Sequence, residues 1–258
     1  MSNNNNGKAS DKSKVVIRLQ GVTKTYRKGD QEVKPLENTD LEVREGEFFA
    51  LMGPSGSGKS TLLNLVAGID KATTGRVVVF GEDITEWSED DLAEWRNRAV
   101  GYIFQQFNLM PVLTGYENVE LPLLLLSMNG ARRRQQVNTA LGLVDMTDRA
   151  SHYPRQMSGG QEQRIAIARA LAADPQILLC DEPTGALDRN SAEVVMNLLK
   201  RLNEQYGKTI VLVTHDPHVA SRATRVLHLE KGVLLEAHEL EDAATREAAM
   251  AVEGAAGR

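Results

Sequence analysis

The chain has 258 residues, 41% of them hydrophobic and 25% charged, which suits one large domain or a domain with a subdomain and excludes a wholly disordered chain. The formal net charge of −5, from 30 basic and 35 acidic residues, lacks the basic excess of a dedicated nucleic-acid binder, so no nucleic-acid partner is expected. Cys180 is the single cysteine; no internal disulfide can form, nothing argues for an oxidising compartment, and an intracellular location is expected.

Residues 1–14 are polar and of low complexity and are expected to form a disordered tail without the apolar core of a secretory signal. Residues 15–43 read as β-rich, with alternation in Val15-Val16-Ile17-Arg18-Leu19. Phe48-Phe49-Ala50-Leu51-Met52 is a short, nearly continuous apolar run, the pattern of a central parallel strand covered on both faces. A helical pattern follows at Leu62, Leu63 and Val66, and another places Leu92, Trp95 and Ala99 on one face. Residues 101–104 are a weaker strand candidate. From about 106 to 172 the pattern is mostly helical, with Val137, Ala140, Leu141 and Val144 on one face, as in a helical lobe inserted into an α/β sheet. Residues 176–180 and 209–213 repeat the buried-strand pattern, and 239–258 form an Ala- and Glu-rich tail able to make a short helix. The longest apolar run, 121–126, contains Pro122 and falls far short of the ~20 residues that span a bilayer. Any membrane role would be borrowed from a partner.

Gly53-Pro54-Ser55-Gly56-Ser57-Gly58-Lys59-Ser60 fits G-x-x-x-x-G-K-[ST] at every fixed position, between a strand and a helix. Its glycines let successive N–H groups turn inward on phosphate oxygens, and the helix starting near Lys59 adds the positive end of its dipole. Lys59 would neutralise β- and γ-phosphates, and the Ser60 hydroxyl, with Thr61 beside it, would reach Mg²⁺ and the nucleotide. Asp181 closes a second apolar strand, where a carboxylate can hold Mg²⁺, and Glu182 next to it can polarise an attacking water as general base. Gly53, Gln105, Asp181 and His215 each follow an apolar run, at the sheet edge where open α/β folds bind ligands.

Met157-Ser158-Gly159-Gly160-Gln161 resembles the LSGGQ signature of ATP-binding-cassette ATPases. With the phosphate loop, Gln105, Asp181-Glu182, Gly185-Ala186-Leu187-Asp188 and His215 it covers the cassette in the family's order. Met157 stands where Leu is usual and Glu162 where Gln is common. Ser158 and Gln161 also form an S-x-x-Q capping box, which accounts for a helix start but not for two consecutive glycines. The resemblance implies an α/β fold over 15–238: a P-loop NTPase core sheet, an N-terminal antiparallel β subdomain and the inserted helical subdomain. It implies ATP and Mg²⁺ as ligands and a head-to-tail homodimer in which Ser158, Gly159, Gly160 and Gln161 of one copy grip the γ-phosphate held by the other. It further assigns Gln105 to sensing Mg²⁺ and γ-phosphate, His215 to the γ-phosphate, Asp188 to communication across the dimer, and Tyr26 to stacking on adenine.

Translation-factor cassettes carry two copies per chain, and chromosome-maintenance ATPases insert long coiled coils; neither feature is present. Residues 104–109, Phe-Gln-Gln-Phe-Asn-Leu, and 117–123, Glu-Asn-Val-Glu-Leu-Pro-Leu, resemble the macrolide-export and lipoprotein-release branch. That branch implies an integral-membrane permease partner at the cytoplasmic face of the inner membrane, with a periplasmic adaptor as a further partner. A regulatory cell-division cassette and an amino-acid importer ATPase are the alternatives.

Overall fold

The computed structural model describes residues 14–29 and 31–236; the tail at 239–258 and nearly all of 1–14 lie outside the described residues. Strands β1 (Val15–Lys28) and β2 (Gln31–Arg44) form a long antiparallel hairpin. β4 (Thr74–Val79) adds antiparallel to β1, and β5 (Glu82–Asp83) completes the order β2-β1-β4-β5. The second sheet has the order β10-β9-β3-β8-β7-β6. Its elements are β3 (Phe48–Met52), β6 (Val100–Ile103), β7 (Ile177–Asp181), β8 (Thr209–Thr214), β9 (Arg225–Glu230) and β10 (Val233–Leu235). All neighbours are parallel except β10 with β9. Strands β4, β5, β9 and β10 were not anticipated from the sequence.

Alternation along β3 explains why its apolar run is continuous. Phe49 and Leu51 join a core with the antiparallel sheet, α1 (Lys59–Val66) and α2 (Glu89–Ala99), whereas Phe48 and Ala50 join the opposite core. Leu92, Trp95 and Ala99 are the buried face of α2, whose Ser88 cap accepts from the Asp91 N–H. The opposite face is covered by α3 (Gly115–Glu120), α4 (Gly130–Leu143), α5 (Gly159–Leu171), α6 (Arg189–Tyr206) and the short α7 (Pro217–Ala220). Residues 121–125, around Pro122, form a 3₁₀ turn. No described helix is long and apolar enough to cross a membrane.

Candidate nucleotide site

Register brings the motifs together. Met52 pairs with Thr214, Val213 with Asp181, and Cys180 with Ile103 across β3-β8-β7-β6. The segments following these parallel strands therefore leave one edge side by side: the loop 53–58 after β3, His215 after β8, Glu182 after β7 and Gln105 near the end of β6.

Within the loop Gly53, Gly56 and Gly58 take positive φ. Gly58, at φ +106, precedes α1; a Cβ there would lie 2.3 Å from the Pro35 carbonyl oxygen on β2. The antiparallel sheet thus presses the loop into shape. Gly58 gives α1 no side-chain cap, so the first-turn N–H groups that a helix cannot satisfy internally face the loop. Lys59 is buried and donates to the Gly53 and Pro54 carbonyls, both at 2.8 Å. Burial lowers its pKa, while Glu182 and Asp181 oppose that shift. The Ser57 hydroxyl is buried without a partner, beside Gly53. Such an orphan inside an N–H-lined loop fits an anionic ligand. Pro54 and Ser55 shape the outer turn, and Thr61 follows Ser60 into α1.

The Ser60 hydroxyl donates to Asp181 Oδ1 at 3.0 Å. Burial raises the Asp181 pKa first, and neighbouring Glu182 adds to it. Glu182 sits at φ +45, a strained conformation for a non-glycine residue. Its carboxylate meets His215 Nδ1 at 3.1 Å, with the histidine ring more than half exposed. Gln105 packs on Gly185, where a Cβ would come within 2.9 Å of its amide nitrogen. Gln106 is exposed beside it. His218 is committed elsewhere, to Glu193 at 2.6 Å.

Tyr26 lies on β1, off the edge of the parallel sheet. Its hydroxyl donates to Asp70 Oδ2 at 2.6 Å, and Lys24, paired with the same Asp70, lies 4.8 Å from the ring centroid. Partial burial, then Asp70, raises the phenol pKa. Ser158 and Gln161 do form a reciprocal capping box at the start of α5. Gly159 faces Phe107 and Leu187, and a Cβ on Gly160 would come within 2.7 Å of the Ser191 hydroxyl, so the signature lies against α6. Asp188 caps α6, accepting from the Asn190 and Ser191 N–H groups and the Ser191 hydroxyl, which holds its carboxyl below the usual range. Sequence reasoning had not reached Lys24, Asp70, Ser57's unpartnered hydroxyl, or the buried Gln163.

Among the described residues, no group of three or more His, Cys, Asp or Glu is placed to hold a metal ion. The oxygen pair Ser60–Asp181, with a carboxylate in poor solvent, instead suits Mg²⁺ arriving with substrate phosphates.

The ABC transporter family model matches residues 36–185. An uncharacterized ABC transporter ATP-binding protein of Methanocaldococcus jannaschii, MJ0796, is 48% identical over 221 residues, covering 84% of this chain and 94% of that one. The macrolide export ATP-binding/permease protein MacB of Brucella abortus is 44% identical over 235 residues, 91% of this chain but 36% of MacB. A dimeric structure of a post-hydrolysis state of the MJ0796 cassette bound to ADP and Pi superposes with a TM-score of 0.78 at 46% identity, covering 84% of this chain and 96% of that one. The chain belongs to the ABC transporter family, as an ATP-binding subunit that hydrolyses ATP.

Proposed function

We propose that two copies of this chain close head-to-tail on two ATP molecules and drive an inner-membrane permease from its cytoplasmic face, for export or for extraction of lipoprotein or lipid. The observation that carries the hydrolytic part is a pair of contacts beside the buried Lys59: Ser60 at the start of α1 with Asp181, and Glu182 with His215 across neighbouring strand ends. The dimeric MJ0796 cassettes support the pairing, and MacB supports both the permease and the export branch. A periplasmic adaptor is a further proposed partner.

The loop N–H groups and Lys59 hold the phosphates, and the ring face of Tyr26 opposite Lys24 receives adenine. Bound Mg²⁺ would neutralise phosphate charge, held by Ser60, Asp181 and the Gln105 amide. Glu182 takes a proton from water as the water oxygen bonds to the γ-phosphorus. The bond from that phosphorus to the bridging oxygen breaks, and its electron pair leaves with ADP. His215 steadies Glu182 and contacts the γ-phosphate. Ser158 and Gln161 spend their side chains on the capping box, leaving the backbone N–H groups of Gly159 and Gly160 to meet the partner copy's γ-phosphate. Asp188, the cap of α6, communicates with the other copy in this reading.

Glu182→Gln tests this reading. It keeps the size of the side chain but cannot accept the proton, so turnover should fall at least about 10²-fold. Size exclusion with light scattering should show a dimer with Mg-ATP and a monomer without it. Turnover at the wild-type rate would remove Glu182 as base. A variant that holds ATP yet stays monomeric, alone and with its permease, would remove the head-to-tail pairing.

A further inference from the structure

Five residues beyond the capping Ser158, α5 turns Gln163 into the protein, where it has no solvent exposure. Its amide nitrogen donates to the Pro183 carbonyl at 2.7 Å and to the Phe104 carbonyl at 3.4 Å. Its amide oxygen is equally buried and has no partner. The orientation is fixed by chemistry: two carbonyls can only accept, so the nitrogen must face them. Burying an unpaired acceptor is destabilising, and an apolar side chain of the same size would avoid it. The two contacts on the nitrogen side satisfy carbonyls that an apolar side chain would leave without this donor, and what those carbonyls hold in place is the backbone of the site.

Both carbonyls border the site. Phe104 immediately precedes Gln105, and Pro183 immediately follows Glu182. Glu182 at φ +45 is a conformation that persists only where its surroundings hold it. Its own N–H donates to Val213 at 3.0 Å, and its carbonyl accepts from the Gly185 N–H at 3.0 Å. Gln163 fixes the next carbonyl along. From the same helix, Arg169 donates to the Phe107 and Asn108 carbonyls at 2.8 and 2.6 Å, so α5 grips the chain on both sides of Gln105.

We propose that Gln163 is a positioning residue for hydrolysis: from the helix that starts at the signature, it clamps the backbone beside Glu182 and beside Gln105, and so aims the base. The inference rests on the reading of Glu182 as base.

Gln163→Met conserves volume and removes both the donor and the orphaned oxygen. In the full-length chain kcat for ATP should fall about tenfold or more, because small misplacements of a reacting group cost that much. KM and ATP affinity should stay within about twofold, and the fold should persist with at most a modest drop in thermal midpoint, since two carbonyls lose a donor while the orphaned oxygen is removed. An unchanged kcat would overturn the proposal. So would equal losses in kcat and ATP affinity. Failure of both Gln163→Met and Gln163→Leu to fold would also overturn it, since Gln163 would then serve the core. Glu182→Gln is measured alongside: if it turns over normally, the base reading falls, and if it stalls while Gln163→Met does not, this inference falls alone.

Discussion

Gly58 and Gly56 separate what the fold demands of the phosphate loop from what the ligand demands. Both have positive φ, +106 and +80, so alanine at either costs backbone strain of about 1–3 kcal/mol. Their surroundings differ. A Cβ on Gly58 would sit 2.3 Å from the Pro35 carbonyl oxygen and 3.0 Å from its carbonyl carbon. Those are backbone atoms within β2, held to β1 on either side by the Leu36–Lys24 and Val33–Tyr26 pairs, between which the register shifts. Overpacking adds about 1–3 kcal/mol, so Gly58→Ala should cost about 2–6 kcal/mol in all. That is a large share of the roughly 5–15 kcal/mol that holds a domain together. A Cβ on Gly56 would meet nothing within 4 Å, so Gly56→Ala carries only the strain. Urea unfolding without nucleotide should place the two variants at least about 1 kcal/mol apart, with Gly58→Ala the weaker. Calorimetry with ATP should then show Gly56→Ala losing affinity out of proportion to its stability, because the strain falls on the backbone of the loop that turns its N–H groups to the phosphates. Equal unfolding costs would refute the claim that β2 shapes the loop.

Asp181→Asn should reduce hydrolysis by about 10²-fold or more while making the nucleotide-free protein more stable at neutral pH. Burial raises the Asp181 pKa, so the native state keeps that proton to higher pH than the unfolded chain does. Wild-type stability therefore falls as pH rises from the ordinary carboxylate value through the raised native one, and stays lower above it. Asparagine lacks this penalty and still accepts from Ser60, so the stability gap should vanish in acid and open toward pH 7; an asparagine variant less stable at pH 7 would refute this. Cys180 should be inert in the native state, since it is fully buried on β7 and burial pushes its thiol pKa far up. Labelling by an aromatic disulfide reagent should require urea, and reaction within minutes in native buffer would contradict the packing of β7.

Central strands were legible because parallel strands buried on both faces write their cores as unbroken apolar runs; Phe48–Met52 and the runs ending at Asp181 and Thr214 are of that kind. Strands one place in from the sheet edges were not. β4 buries Val77 and Val79 but not Thr74 or Arg76, and β9 buries Leu227 and Leu229 between half-exposed neighbours. Over six residues such alternation is a faint signal. At the site, residues were legible where local spacing carries the chemistry, as in the loop and the Ser158–Gln161 box. They were hidden where a partner is far along the chain: Lys24 and Asp70 are 46 residues apart, and Gln163 lies 59 from Phe104. Helix register still held a clue. Gln163, Ala166 and Ile167 occupy i, i+3 and i+4 of α5, and all three are buried. A polar side chain on an apolar stripe must find partners inside the protein, and Gln163 finds them at the Phe104 and Pro183 carbonyls, beside Gln105 and Glu182. Its neighbour Glu162 departs from the family's common form and draws the eye, yet one step along a helix turns a residue by about 100° and off that stripe. Position on the stripe, rather than departure from a motif, marks the residue with reach into the site.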